Sequence, residues 1–545
     1  MLLPLLSYVV VLAVALSASR WLQGRGRRAS SLSVAVAFGV PWLYSVLIAV
    51  RARWDSMLPQ QSIVLPDEGQ FLASALKALR GSPIPWSDID GGTTGPMVEY
   101  FLLPAMQFHE WPFLAARFEM AVLIASWPLL AAIALRRVSS NPVAQIVTVP
   151  LVILGIAPWY FDWFSYTAEF VSLTLVLGFV ALEVGRPLFG RASAIAGVLG
   201  FLLLGLAPFA KLQVGPLAFA LGLIALLLGR RVLSSPRHLR AAWLPMVAGV
   251  TPVLLVVAGA IVSGPFRRDV AYGLGFVNRY SSYLGGGDPN AIFQLLVDDP
   301  ALGPLLLVGL VAMLLLVGAL VLRFFVVECS YDGMSELMVM GVVALPLGVF
   351  CATYPGRPYP HYYWYAAFGA LFTIAVAAAL VWRGRRYWMV WAFSVPLVTS
   401  ILLVSSLPVS VDWSYLDPSS TAAWRGELLP ANGSVTASRE ALVRTVHRNC
   451  EEEIAVWAWD PDVYLITQSA HVTPWSTLVF GDEVGIATWV ARVQSEAPSC
   501  IIESLAARYV STPPLASRSD GLALLAGYQQ VFDSPAFRVW KRRHG

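Results

Sequence analysis

Two adjacent carboxylates, Asp67 and Glu68, follow Pro66 at the start of a helix-forming segment. Attack by a hydroxyl group on a sugar needs a carboxylate base within hydrogen-bond reach of that hydroxyl, and an acidic pair in a long loop can supply it. Carboxylates are also favoured at helix N-termini, where they cap backbone amides and interact with the helix dipole. The pair therefore predicts either a general base or an ordinary helix cap.

A second group of candidates is positively charged and suits a phosphate group. Lys211 lies in APFAKLQVGP between two apolar segments, where a charge is costly and usually functional. Arg267 and Arg268 open a later loop, and Arg357 and His361 lie in YPGRPYPHYYWYA. A phosphate leaving group needs fixed positive charge as its bond breaks. Snorkelling towards lipid headgroups explains the pair Arg267 and Arg268 equally well, but explains Lys211 less well.

Polar and aromatic residues near these charges are candidates for substrate contact. Tyr166 and Glu169 lie in DWFSYTAEF at the predicted start of a helix, where Glu169 also fits a simple cap. Trp86, Tyr100 and Trp364 offer rings on which a sugar can stack, and they equally fit the aromatic belt at a membrane interface.

The elements that position these residues are apolar enough to cross a bilayer. The chain has 545 residues, of which 57% are hydrophobic and 13% charged, whereas a soluble domain carries about 25% charged residues. Apolar runs near twenty residues are long enough to span a membrane as helices. About twelve spans are predicted, at 2–22, 31–50, 112–135, 142–159, 168–185, 192–210, 212–229, 241–264, 302–325, 336–354, 363–382 and 388–410.

The arginines predict the orientation of these spans. They fill alternate connections, as the positive-inside rule requires of cytoplasmic loops. Arg51 and Arg53 are exceptions, on the outer side. The predicted location is a bacterial cytoplasmic membrane, with the candidate residues and the C-terminal tail on the extracytoplasmic face. The cytoplasmic arginines are Arg25, Arg27, Arg28, Arg136, Arg137, Arg186, Arg191, Arg230, Arg231, Arg237, Arg240, Arg323, Arg383, Arg385 and Arg386.

The predicted domains are a transmembrane domain at 1–410, whose first outer loop is 51–111, and a small α/β domain at 411–545. A loop of about sixty residues is far longer than a connection needs and usually carries function. Within it, PDEGQFLASALKALRG predicts a helix lying on the membrane and ending at Gly81. Its apolar face comprises Phe71, Leu72, Ala75, Leu76 and Leu79.

The tail has shorter apolar runs, which predict strands in EEEIAVWAWD and SCIIES. The segment SREALVRTVHRN predicts a helix, and YQQVFDSPAFRVWKRR predicts a closing hairpin that turns at Asp533-Ser534-Pro535. Cys450 and Cys500 lie at the edges of predicted strands, so they are either neighbours that form a disulfide in an oxidising compartment or two unrelated thiols.

Several patterns occur in a fixed order along the chain. An acidic pair precedes a small-residue helix and a Pro-x-x-x-Tyr motif, a lysine is followed by a glutamine, and Arg-x-x-Pro-His-Tyr-Tyr comes late. The chain thereby resembles the GT-C superfamily of membrane glycosyltransferases, in the branch of the aminoarabinose and protein O-mannosyl transferases. The resemblance covers 51–365, and VWAWDPDVYLITQSA, at 456–470, is similar to a tail motif of bacterial members. The patterns are Asp67-Glu68, Pro96 to Tyr100, Lys211 with Gln213, and Arg357 to Tyr363.

The resemblance implies a polytopic α-helical, GT-C-like fold and transfer of a sugar from a polyprenyl-phosphate donor to a glycan, lipid or protein hydroxyl outside the cytoplasm. It implies Asp67 as general base and Glu68 as a supporting acid that contacts the acceptor or a divalent metal, which the patterns leave open. The expected donor-phosphate contacts are Lys211, Arg267, Arg268, Arg357 and His361. The expected substrate contacts are Glu99, Tyr100, Tyr166, Glu169 and Tyr362.

Other functions remain open at this point. A transporter or flippase of lipid-linked sugars would place ionisable residues near the membrane midplane, and a polysaccharide polymerase or ligase would share the predicted sidedness. A non-catalytic role is a further alternative. No basic run interleaved with aromatics suggests a nucleic-acid partner.

Overall fold

The fold is taken from a computed structural model of the whole chain. The described residues are Leu43, 66–81, 84–87, Ile89, 94–107, 112–138, 166–187, 189–283, 288–299, 302–326, 333–355, 360–383, 434–458, 460–473, 483–505 and 513–543.

Most of the described chain is helical. Two compact units form: a membrane unit of 1–58, 120–256 and 287–410, and a sheet unit of 59–119, 257–286 and 411–545. The helices are α1 (Pro66–Arg80), α2 (Met97–Met106), α3 (Pro112–Val138), α4 (Ala168–Glu183), α5 (Arg191–Ala210), α6 (Gly215–Ile224), α7 (Pro236–Val262), α8 (Gly264–Tyr283), α9 (Pro289–Asp298), α10 (Leu302–Val326), α11 (Gly333–Thr353), α12 (Tyr363–Arg383), α13 (Ser434–Asn449), α14 (Asp462–Ile466), α15 (Glu483–Glu496) and α16 (Ser519–Leu525).

Six helical segments of the described chain are long and apolar enough to cross a membrane. The predicted segments 112–135 and 168–185 also fall on helices, α3 and α4. Those at 2–22, 31–50, 142–159 and 388–410 lie outside the described residues apart from Leu43, so the count of about twelve stays a prediction. The six are Arg191–Ala210, Leu212–Gly229, Pro236–Val262, Leu302–Arg323, Gly333–Thr353 and Tyr363–Leu380.

Glycines bring α11 and α12 into close contact. A Cβ added at Gly348 would collide with the backbone oxygen of Tyr365, and one added at Gly369 would lie 2.5 Å from the backbone oxygen of Ala344. Small residues let membrane helices approach until their backbones touch. This packing fixes the start of α12, which follows directly after His361 and Tyr362.

The sheet unit contains a mixed five-stranded sheet with the order β2-β1-β3-β5-β4. Its central parallel strands β1 and β3 are buried on both faces, which explains their nearly continuous apolar sequences. The predicted hairpin is confirmed as the antiparallel pair β4 and β5, closed by a bond from the Ser534 amide to the Phe537 carbonyl (2.9 Å). The strands are β1 (Glu453–Trp457), β2 (Ala470–His471), β3 (Cys500–Ser504), β4 (Tyr528–Asp533) and β5 (Phe537–Arg542).

Of the two alternatives for Cys450 and Cys500, a disulfide or two unrelated thiols, the structure shows the disulfide. The two residues form a disulfide with their Cα atoms 5.5 Å apart. Cys450 follows the last residue of α13, while Cys500 begins β3, whose neighbour β1 comes soon after Cys450 in the chain. The bond therefore ties α13 to the centre of the sheet.

Helix α1 forms where the sequence predicts it and ends at Gly81, whose amide donates to the Lys77 carbonyl (3.0 Å). Its predicted apolar face packs against protein, and its expected place on the membrane stays a prediction. The polar residues Gln70 and Ser74 are buried as well as the apolar face, and Ala73 belongs to the core that β1, β3 and β5 form with α13. Residues on both faces of α1 are thus buried, which a single apolar face does not predict.

Candidate functional site

The acidic pair lies in the first turn of α1. Glu68 is fully buried and accepts hydrogen bonds from Arg117 in α3, with Nε 3.0 Å from Oε1 and Nη2 2.6 Å from Oε2. Such a two-point pair between a guanidinium and a carboxylate is strong and geometrically specific. Glu68 is therefore held by Arg117 within the sheet unit.

The neighbouring carboxylate, Asp67, is only half-buried. Because Glu68 is fixed in the interior, the backbone next to Asp67 is fixed too, and the two acids have different environments. In α2, Glu99 is fully buried and Tyr100 is half-buried. Asp67 is thus the more accessible carboxylate of the pair, as a base that meets an acceptor must be.

We expect Arg117→Met to destabilise the protein by about 3–5 kcal/mol, because it leaves the buried Glu68 carboxylate without its counter-charge. The double variant Glu68→Gln, Arg117→Met should recover much of that loss, since it removes both charges. Thermal unfolding of the purified variants in one detergent measures the difference. Equal losses in the single and double variants would contradict a stabilising pair.

Lys211 lies in the membrane unit, where the chain leaves α5 for a short 3₁₀ turn, Leu212–Val214. Its backbone is extended, and its side chain is only 7% exposed. The Nζ atom lies 3.4 Å from Oε1 of Glu169 in the first turn of α4. Lys211 and Glu169 therefore form a buried ion pair at the start of α4.

The aromatic ring of Tyr362 lies beside this ion pair. Lys211 Nζ lies 5.2 Å from the centroid of the Tyr362 ring, within the range of a cation–π contact. Tyr362 in turn packs edge-on against His361, with centroids 4.7 Å apart. The structure therefore brings Lys211, Glu169, Tyr362 and His361 into one contiguous group.

A second polar contact lies within the membrane unit. The Ser172 and Tyr365 hydroxyls are 3.3 Å apart, and Ser172 also donates to the Glu169 carbonyl (2.9 Å). Tyr166, two residues before α4, is fully buried. These contacts fix the first turn of α4, which carries Glu169.

Arg267 and Arg268 are both exposed near the start of α8, in the sheet unit. Arg357 lies outside the described residues. Of the two tryptophans predicted to offer a ring, Trp86 is buried against Phe266 and Trp364 is 1% exposed. Both tryptophans are buried in protein, and whether either stacks on a sugar stays a prediction.

Among the residues that the structure describes, no group of three or more His, Cys, Asp and Glu side chains is placed to hold a metal ion. Glu68, the residue expected to contact a metal, has its two oxygens engaged by Arg117. In the described part of the chain, the Glu68 carboxylate therefore binds Arg117.

Sequence reasoning missed Arg117, Ser172 and Tyr365. A signal existed for Arg117, because it is a charged residue inside a predicted membrane span, and such residues are usually paired or functional. Ser172 and Tyr365 carry no comparable signal, since hydroxyl-bearing residues are common in apolar helices.

Comparison with solved structures identifies similar folds. The crystal structure of ArnT from Cupriavidus metallidurans bound to undecaprenyl phosphate aligns with a TM-score of 0.51 at 16% identity, over 92% of this chain and 97% of that chain. The Archaeoglobus fulgidus oligosaccharyltransferase in the apo form aligns with a TM-score of 0.47 at 12% identity, over 94% and 74%. No protein-family model and no curated protein matches the chain. The likeness to ArnT confirms the predicted resemblance at the level of the fold, because the chain shares the fold of ArnT.

Proposed function

We propose that this chain is a membrane glycosyltransferase that moves a sugar from a polyprenyl-phosphate donor to a hydroxyl group of a glycan, lipid or protein. The observation that carries the proposal is the fold shared with ArnT over 97% of that chain, in a structure that holds undecaprenyl phosphate. Folds host many functions, so the residues of this chain must also suit the chemistry.

The half-buried Asp67 suits the role of general base. The acceptor oxygen attacks the anomeric carbon, and the bond between that carbon and the donor phosphate oxygen breaks. The hydroxyl proton passes to the Asp67 carboxylate, and polyprenyl phosphate leaves with the electron pair. Glu68, held by Arg117, is a positioning residue for Asp67 in this reaction.

Lys211 suits the role of phosphate contact. It is buried at the end of an apolar helix, where poor solvation strengthens its attraction to an anion. Glu169 orients its ammonium group from one side, and Tyr362 lies beside it. His361, in contact with Tyr362, is the second proposed phosphate contact of this group.

The proposed location is a bacterial cytoplasmic membrane, with the sheet unit outside the cytoplasm. The arginine pattern and the Cys450–Cys500 disulfide both support this location, because disulfides persist in oxidising compartments. We expect a C-terminal fusion to a reporter that works only in the cytoplasm to be silent, and a fusion to a periplasmic phosphatase to be active. The opposite pattern would place the sheet unit inside the cell and contradict the proposal.

A transporter is less well supported than a transferase. Buried ion pairs of the described membrane unit lie at helix ends: Lys211 with Glu169, and Arg230 with Glu183, where Arg230 Nη2 is 2.8 Å from Oε2. Transporters concentrate such charges near the midplane at discontinuous helices.

Incubation of the purified protein with a panel of polyprenyl-phosphate sugars tests the proposal. We expect release of polyprenyl phosphate from at least one donor when acceptor lipids and glycans are added. Release that requires no acceptor would indicate hydrolysis, and absence of release across the panel would contradict the proposed donor class.

A further inference from the structure

The C-terminal end of α1 is hydrogen-bonded to residues on either side of β2. Lys77 Nζ donates to the Thr473 carbonyl (3.2 Å), and Arg80 Nη1 donates to the Gln468 carbonyl (2.5 Å). These carbonyls lie on either side of the two-residue strand Ala470–His471. Two cationic side chains in the last turn of α1 thus bind backbone carbonyls almost 400 positions later in the chain.

A buried histidine holds the residue that Lys77 contacts, Thr473. His471 is fully buried, and its Nδ1 lies 2.6 Å from the same Thr473 carbonyl that Lys77 contacts. Burial lowers the pKa of His471 well below its usual value, and the charge of Lys77 lowers it further. The ring is therefore uncharged where it contacts this carbonyl.

Packing reinforces the two anchors. Ala73, one turn before Lys77, is fully buried in a core with Ile454 of β1, Ile502 of β3 and Leu442 of α13. The side of α1 that faces this core carries no large side chain at Ala73, so the helix lies close to it. Helix α1 is consequently part of the sheet unit's core as well as part of the first loop.

The anchored end lies far from the acidic pair. A helix of 15 residues is about 22 Å long, with Asp67 and Glu68 in its first turn and Lys77 and Arg80 in its last. The first turn is held by Arg117, and the last turn by the carbonyls near β2. Because a helix is stiff, movement of the last turn is transmitted to the first.

We infer that Lys77 and Arg80 are positioning residues through which the C-terminal sheet sets the placement of Asp67. The inference rests on the proposed function of Asp67 as base. It gives the C-terminal sheet a role in sugar transfer, which is to position that base. A base must lie within hydrogen-bond reach of its hydroxyl, and a displacement of about 1 Å can cost 10²-fold in rate.

The test compares the double variant Lys77→Met, Arg80→Met with the wild type and with Arg448→Met, which removes an exposed cation from α13 of the same unit. Hydrogen exchange on the full-length protein measures protection of 67–80 and of β1 and β3. Steady-state kinetics with a polyprenyl-phosphate sugar separate kcat from the donor KM.

We expect the double variant to lose protection in 67–80 while β1 and β3 stay protected. The same variant should lose about 10–100-fold in kcat with little change in donor KM, because the base is displaced while the donor contacts remain. Arg448→Met should behave as the wild type. Unchanged protection of 67–80, or an unchanged kcat, would overturn the inference. The exchange measurement needs no substrate, so a wild type without transfer activity would count against the proposed function alone.

Discussion

Asp67→Asn is expected to abolish sugar transfer while the protein still folds. Asparagine keeps the size of the side chain but cannot accept the hydroxyl proton, and loss of general-base catalysis typically costs about 10²–10⁴ in rate. Because Asp67 is half-buried and the buried ion pair is formed by Glu68 with Arg117, the substitution leaves the buried contacts of α1 intact. The rate of polyprenyl-phosphate release, measured at saturating donor, reports the effect.

Asp298→Asn provides the matched control, since Asp298 is an exposed carboxylate at the end of α9. It should transfer sugar at the wild-type rate. An Asp67→Asn protein with normal unfolding behaviour and normal turnover would remove Asp67 from the mechanism.

The variant Lys211→Met combined with Glu169→Gln is expected to weaken donor binding strongly. The double change is used because Lys211→Met alone would leave Glu169 buried without its partner. Loss of a hydrogen bond to a charged group costs about 1.5–3 kcal/mol, which corresponds to about 10–150-fold in affinity. Binding of a fluorescent polyprenyl phosphate to the purified protein measures this loss directly.

Arg268→Ala is the comparison, because Arg268 is an exposed cation that was also predicted to contact the donor phosphate. Its attraction to an anion is screened by water, so its loss should weaken binding much less. Equal and small effects in both proteins would favour snorkelling side chains and exclude Lys211 as the phosphate contact.

Local patterns predicted the sheet unit well. The strands around Ile454 and Ile502 and the turn at Ser534 follow from short apolar runs and turn residues, which act over a few positions. The sequence suggested that Cys450 and Cys500 could pair, because each lies beside a predicted strand and neighbouring strands bring the residues at their ends together.

Contacts between distant segments were harder to predict. Glu68 and Arg117 are 49 residues apart, and Lys77 and Thr473 are 396 apart. No local pattern fixes such pairs, because they depend on how whole elements pack. The burial of α1 was underestimated for the same reason: its apolar face indicated one buried side, whereas burial of Ser74 required knowledge of the second.

Proteoliposomes that contain the protein and a donor labelled in its sugar test most directly whether the chain transfers a sugar. Added acceptor glycans and lipids are separated from the donor after incubation, and polyprenyl phosphate is quantified in the same samples. We expect label to appear in an acceptor in the same molar amount as the polyprenyl phosphate released, and we expect Asp67→Asn to prevent both. Intact labelled donor that merely moves between the two leaflets, with no label in any acceptor, would contradict this expectation.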